Sequence, residues 1–313
     1  MKKKTNLAFV LVFMLIAILG LSACTAKNAT AEIKKTDSAA DAQKLNVVAT
    51  FNAMEELAKA IGKEKVDVIT MIPAGMEPHD FEPKPQDLAS LSKADVFIYN
   101  GLGMESWVKD AMKAANNQTL IVVDTSEGAD RIKNSDEETI KEHGQYDPHL
   151  WLSLNGAKVQ ASNIKNAFIK ADPAKQAYYE KNYTDFAAAA DKLIQEYQEK
   201  FSKLTKKSFV TGHAAFGYLC RDFGLQQESV EDIYAEGEPS AQQLAKLVEY
   251  SRENKVTTIF AEEMASPEIS NTLAKEVGAK VETIYTMEGP EDGLSYLERM
   301  ETNLSRIYQA LSR

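Results

Sequence analysis

The chain has only four histidines, and three of them sit in loops stiffened by proline or glycine. His79 lies in Pro73-Ala74-Gly75-Met76-Glu77-Pro78-His79-Asp80-Phe81-Glu82-Pro83 and His149 in Asp147-Pro148-His149-Leu150-Trp151. His213 lies in Thr211-Gly212-His213-Ala214-Ala215-Phe216-Gly217. Neutral imidazole is a good ligand for zinc and its transition-metal neighbours, and a restricted backbone holds such a ligand in place. A lone loop histidine is more often a solvated or hydrogen-bonded structural residue. Three in comparable loops shift the reading towards a metal, although no HxxxH, CxxC or HExxH spacing is present to define a site by itself.

The elements around these loops alternate between strand and helix. In the first half, Leu45 to Phe51, Val66 to Ile72, Asp95 to Asn100 and Leu120 to Val123 read as strands. Met54 to Ile61, Met104 to Ala115 and Ser153 to Ala171 read as helices between or after them. The second half repeats the rhythm, with strands at Ser208 to Thr211, Val256 to Ala261 and Lys280 to Tyr285 and an extended stretch over Gln227 to Ile233. Its helices are Ala214 to Phe223, Ser240 to Asn254, Ser266-Pro267 to Val277, and Leu294 to Leu311. Such alternation predicts two α/β lobes with mainly parallel sheets, whose ligands bind beyond the carboxyl ends of strands. The histidine loops fall there.

Between the halves runs Asp172 to Leu204, uninterrupted by glycine or proline after Pro173. Tyr179, Tyr183, Phe186, Ala190, Leu193, Tyr197, Phe201 and Leu204 recur at steps of three and four and form one apolar stripe. A helix of this length would extend roughly 48 Å. A lobe of about 110 residues has a gyration radius near ~13 Å, so the helix is expected to span both lobes. A continuous spanning helix favours small lobe or loop rearrangements over a wide hinge swing. The alternative is a long helix packed on a single large domain.

The net charge is −10, and an acidic body lacks the basic footprint that nucleic-acid binding requires. The N-terminus reads as an address. Lys2 to Lys4 precede an apolar run from Leu7 to Leu21, too short for a bilayer span of ~20 residues. Leu21-Ser22-Ala23-Cys24 resembles the lipobox of bacterial lipoproteins, which implies cleavage before Cys24 and lipid (palmitate) attachment to it. The organisation expected is a signal peptide over 1–23, a flexible tether over 24–43, an N-terminal lobe over 44–171, a linker helix over 172–204 and a C-terminal lobe over 205–313. Cys220 is then the only cysteine left, and reads as a small buried apolar residue.

The stretches MEPHDFEPKP, YNGLGMESW, DPHLWLS and TGHAAFGYL together resemble the substrate-binding lipoproteins of metal-ion ABC transporters (cluster A-I, or cluster 9), most closely the zinc branch. The resemblance covers essentially the whole mature chain. It implies two lobes joined by one long helix, with a metal in the cleft, held by His79 and His149 from the first lobe and His213 from the second. It also implies a carboxylate ligand from the loop after a late strand, where Glu288 stands in Tyr285-Thr286-Met287-Glu288-Gly289-Pro290, with Glu291, Asp292, Glu262 and Glu263 as competitors. Manganese-binding relatives typically place a carboxylate where this chain has His213. The zinc branch often carries a His-rich loop, whereas here Glu127 to Tyr146 is acidic and holds only His143, and reads as a mobile acidic loop with cation gathering as a secondary possibility.

The resemblance implies a monomeric, non-enzymatic protein, lipid-anchored on the outer face of the cell membrane, that captures Zn2+ and delivers it to an ABC permease. Manganese or another divalent metal is the alternative cargo, and a surface adhesin on the same fold is a further reading. A zinc hydrolase would need an open coordination position and a general base. A fourth, carboxylate ligand would fill that position. Proton competition for the imidazoles is expected as pH falls through ~6.5.

Overall fold

The first lobe opens on four strands, of which the central two are near-continuous apolar runs of the kind buried on both faces of a parallel sheet, whereas the edge strands expose Ile69 and Val122. The four are β1 (Leu45–Ala49), β2 (Val66–Thr70), β3 (Val96–Tyr99) and β4 (Ile121–Asp124). All pairings are parallel, in the order β2-β1-β3-β4. Helices α1 (Asn52–Gly62), α2 (Pro85–Leu91), α3 (Val108–Ala115), α4 (Glu137–His143) and α5 (Leu154–Ala171) connect and follow these strands. The second lobe repeats the plan with β5 (Ser208–Thr211), β6 (Gln226–Ser229), β7 (Thr258–Glu262) and β8 (Lys280–Ile284) in the order β6-β5-β7-β8, again all parallel. In each lobe the chain leaves the sheet in opposite directions from the two central strands, the switch point at which such folds bind ligands.

This computed structural model describes residues 44–74, 76–234, 240–262, 268–290 and 292–313, without the side chain of Glu138. The expected signal segment, Cys24 and the tether lie outside the described residues, as do Glu263 and Glu291. Among the described residues no helix is long and apolar enough to cross a membrane.

The spanning helix α6 runs from Gln176 to Ser202, preceded by a 3-10 turn over Pro173–Lys175. The regular α-helix begins only after that turn and ends at Ser202, so it is shorter than expected, roughly 40 Å. Its buried face comprises Tyr179, Asn182, Phe186, Ala190, Leu193, Ile194, Tyr197 and Phe201. The stripe is as expected from Tyr179 to Phe201, except that Tyr183 is only partly covered and Asn182 enters the core by donating to the Ile61 carbonyl at 2.8 Å; Leu204, expected to close it, lies half-buried beyond the helix end. The N-terminal part of α6 packs on α1 and α5, and α6 also packs on α7 (Gly217–Phe223) and α10 (Tyr296–Leu311) of the second lobe. Helices α8 (Ala241–Glu253) and α9 (Glu268–Val277) complete that lobe. One apolar cluster runs through both lobes, from Val47 and Phe97 to Phe209 and Met300. A second, smaller cluster around Val210, Ile259 and Leu273 lies under α8 and α9.

The helix expected over Met104 to Ala115 begins only at Val108, the extended stretch expected over Gln227 to Ile233 is a strand only from Gln226 to Ser229, the closing helix begins at Tyr296, and two segments near the histidines change as well. The acidic segment Glu127 to Tyr146 contains helix α4, not loop alone. Asp136 caps it by accepting the Thr139 N–H at 2.8 Å, Gly144 ends it, and Lys133 bridges to Tyr146 beyond it. Helix α7 starts at Gly217 rather than Ala214. The preceding residues are drawn into a turn in which the Thr211 hydroxyl donates to the His213 carbonyl and the Phe216 N–H donates to Gln227 Oε1.

Candidate metal centre

Each of the three histidines is delivered by a loop or short turn that follows a strand or leads into a helix. After β2 the ladder continues through the Met71 and Ile72 N–H groups, which donate to Ala49 and Thr50. The chain then enters a 3-10 turn, Pro78–Asp80, that carries His79. His149 immediately precedes a second 3-10 turn, Leu150–Leu152, which leads into α5 with Ser153 as its cap. Gly156 lets this turn sit against α5: a Cβ there would lie 2.2 Å from the Leu150 carbonyl oxygen. His213 follows β5 after Gly212, whose N–H continues the sheet by donating to Phe260 at 2.9 Å.

The three imidazoles converge. Their potential ligand atoms all lie within 4.8 Å of one another, and His79 Nε2 is 3.3 Å from His149 Nε2. Ring centroids are 5.3 Å apart for His79 and His149, 4.8 Å for His149 and His213, and 6.0 Å for His79 and His213. The His79 side chain is 4% exposed, and His149 and His213 are buried. Burial, reinforced by the neighbouring imidazoles, holds His79 well below the usual histidine range and pushes His213 down to about 3. Both therefore stay neutral, the form that donates a lone pair to a metal. This corrects the expected proton competition near ~6.5: for these two residues it moves to lower pH, because a buried imidazolium beside other imidazoles is disfavoured.

The surrounding groups orient the rings. Asp147 accepts both the His149 backbone N–H (2.9 Å) and its Nδ1 (2.8 Å), fixing the proton on Nδ1 and leaving Nε2 for the centre. Glu262, at the end of β7, accepts the His213 backbone N–H at 3.0 Å. His213 Nε2 lies 2.7 Å from the Ile233 carbonyl, so His213 either offers Nδ1 to a cation or gives up this bond on binding. Glu77 stands 4.0 Å from His79 Nε2, with its carboxyl raised by burial. Tyr234 packs its ring 5.2 Å from that of His79 and stacks at 3.9 Å on His143, the last residue of α4. The acidic segment thus covers the His79 side of the centre.

Glu288 is buried, at 5% exposure, on the loop after β8, but it is not a member of the 4.8 Å group formed by the three histidines. Its loop is held against the first lobe. The Trp151 indole N–H donates to the Thr286 carbonyl at 2.7 Å, and Arg299 joins the Gly289 carbonyl to Asn52 of the first lobe at 2.8 Å each. Of the competing acids, Asp292 accepts from the Tyr285 hydroxyl and Glu262 is engaged with His213 as above. Sequence reading missed Asp147, Glu77 and Tyr234. The Asp-Pro-His and Glu-Pro-His spacings were a signal for the two acids; nothing local marks Tyr234, which arrives from the other lobe.

The family model described as ZnuA, zinc-uptake complex component A periplasmic, matches residues 47–310. The chain belongs to the ZnuA family. It is 39% identical over 306 residues to the high-affinity zinc uptake system protein ZnuA of Bacillus subtilis (strain 168), covering 93% of this chain and 96% of that one. It is 32% identical over 317 residues to the manganese ABC transporter substrate-binding lipoprotein PsaA of Streptococcus anginosus, covering 97% and 98%. Among solved structures it resembles the laminin-binding protein Lmb of Streptococcus agalactiae, described as bifunctional with adhesin and metal transporting activity. The TM-score is 0.78 at 34% identity, over 86% of this chain and 100% of that one. The chain is thus a metal-binding substrate-binding protein of the ABC type, in a ZnuA family of solute-binding proteins rather than enzymes.

Proposed function

We propose that this protein captures Zn2+ at the outer face of the membrane and delivers it to the permease of an ABC importer. His79, His149 and His213 are the imidazole ligands and Glu288 is the fourth. The observation that carries the reading is the convergence of three buried imidazoles from two lobes on one point, two of them held neutral by burial. Three nitrogens and one carboxylate oxygen suit tetrahedral zinc, whereas manganese favours more oxygen ligands and stands lower in the affinity order. His213, where a carboxylate would favour manganese, is the residue that leans the site to zinc.

The remaining assignments follow the same reading. Residues 1–23 are a signal peptide, Cys24 carries the lipid anchor, and 24–43 are the tether. The lobes are 44–171 and 205–313, joined by the linker over 172–204, and the protein acts as a monomer.

The test is elemental analysis of the soluble form beginning after Cys24, purified without chelator, beside Glu288→Ala. One zinc per chain that survives dialysis in the parent and is loosened in the variant is expected. Manganese, or no metal, would overturn the zinc assignment; tight zinc in the variant would remove Glu288 from the ligand set. The likeness to Lmb supports adhesion as a second reading, tested by laminin binding of the parent and of a triple His79, His149, His213→Ala variant.

A further inference from the structure

The stretch Tyr99 to Trp107, YNGLGMESW, supplies no histidine and no proposed ligand, yet it is built into the lobe with unusual tightness. Gly101, Leu102 and Gly103 all have positive φ (88°, 59° and 95°). A Cβ on Gly101 would fall 2.2 Å from Asp124 Oδ1, and one on Gly103 would fall 2.4 Å from the His143 carbonyl oxygen. Only glycine fits either place, so the turn is wedged between the end of β4 and the end of α4. Glu105 closes it from within. Its carboxylate accepts the Asn100 N–H (2.8 Å), the Gly101 N–H (3.0 Å) and the Thr50 hydroxyl (2.8 Å), all buried.

What this turn presents is the side chain of Asn100, which is fully buried. Asn100 Oδ1 accepts from Gln160 Nε2 at 2.8 Å, which fixes the amide orientation. Asn100 Nδ2 donates to its neighbour Gly101 and, at 2.9 Å, to the carbonyl of Pro148. The Pro148–His149 peptide is therefore gripped from both sides: its carbonyl by Asn100 and its N–H by Asp147. A peptide plane clamped at both ends fixes the backbone direction from which the His149 ring departs.

We infer that Asn100, held by Glu105, is a positioning residue for metal capture: it clamps the Pro148–His149 peptide and so aims His149 at the centre. The inference rests on His149 being a metal ligand. Groups that orient a ligand typically matter ten- to a hundredfold in metal affinity. A residue that merely stabilised the lobe would weaken the site whichever ligands remain, whereas a residue acting through His149 should lose its effect when the His149 ring is gone.

The experiment measures Zn2+ affinity of the soluble chain by competition with a chelating indicator for Asn100→Ala and Glu105→Gln. Each is made in the parent, in His149→Ala and in His213→Ala, with thermal unfolding of the chelator-treated proteins recorded alongside. The expected result is a loss of about ten- to a hundredfold in the parent and in His213→Ala, and of less than about twofold in His149→Ala. The Co2+ absorption spectrum of the two variants should also shift relative to the parent, because His149 is misaimed. Equal losses in both backgrounds, or none, would overturn the inference. If His149→Ala alone leaves zinc affinity unchanged, the ligand assignment fails and this inference fails with it. Glu105→Gln keeps the shape of the residue it replaces and carries the test should Asn100→Ala not fold.

Discussion

Replacing Glu105 by Gln isolates the cost of a carboxylate buried in the turn that holds Asn100. Burial, with Asp124 adding repulsion, pushes the Glu105 carboxyl from 4.5 up to about 7, against the opposing pull of its donors on Asn100, Gly101 and Thr50. The group is raised in the folded state, so the folded protein holds a proton that the unfolded chain has released. Its stability contribution is therefore complete below about 4.5 and is lost as pH rises through about 7. The interval between those values, at roughly 1.4 kcal/mol per unit, amounts to roughly 3 kcal/mol. Gln carries no titrating proton, so the difference in unfolding free energy between variant and parent should move by up to that amount in favour of Gln between about pH 4.5 and pH 8. Urea unfolding of the chelator-treated proteins across that range measures it. Titration of His79, His213, Glu77 and Glu231 occurs in both proteins and cancels in the difference. Tyr99 and Asp124, which interact electrostatically with Glu105, are likewise present in both. Parallel stability profiles would refute the reasoning, because they would mean that Glu105 carries an ordinary carboxylate charge in the fold.

Zinc affinity should stay nearly level as pH falls from about 7.5 to about 5.5, so far as His79 and His213 set it, and decline below that; indicator competition at a series of pH values checks it. The sign follows from burial: both residues titrate below the free-imidazole value of 6.5, so protons displace the metal only in more acid solution. Measured in Glu105→Gln, which lacks the carboxyl that titrates at about 7, a decline centred on ~6.5 would show that these rings are hydrated as free histidine is. Asp147→Asn should weaken zinc about ten- to a hundredfold, because the amide loses the charge that holds the proton on His149 Nδ1. Unchanged zinc competition in this variant would take Asp147 out of the role.

The parts of this molecule that were readable in advance are those written in local patterns. Apolar strands such as Val96–Tyr99 and the stripe from Tyr179 to Phe201 declare their period in consecutive residues, and the lobes and the spanning helix follow. The three histidines were legible because proline and glycine mark their loops and because the fold class says where loops meet ligands. The acidic segment was misread since its helix depends on one cap, Asp136, and on docking to a distant Tyr234. Asn100 stands in the quoted stretch YNGLGMESW, but its role could not be read there, for a deeper reason. Its partners are Gln160, 60 residues on, and Pro148, 48 residues on, and no short-range pattern encodes a clamp closed by three separate stretches of chain. Metal selectivity is harder still. A ligand set can be read from residue types, but the distances at which the ligands stand are set by contacts such as these, which no short-range pattern encodes.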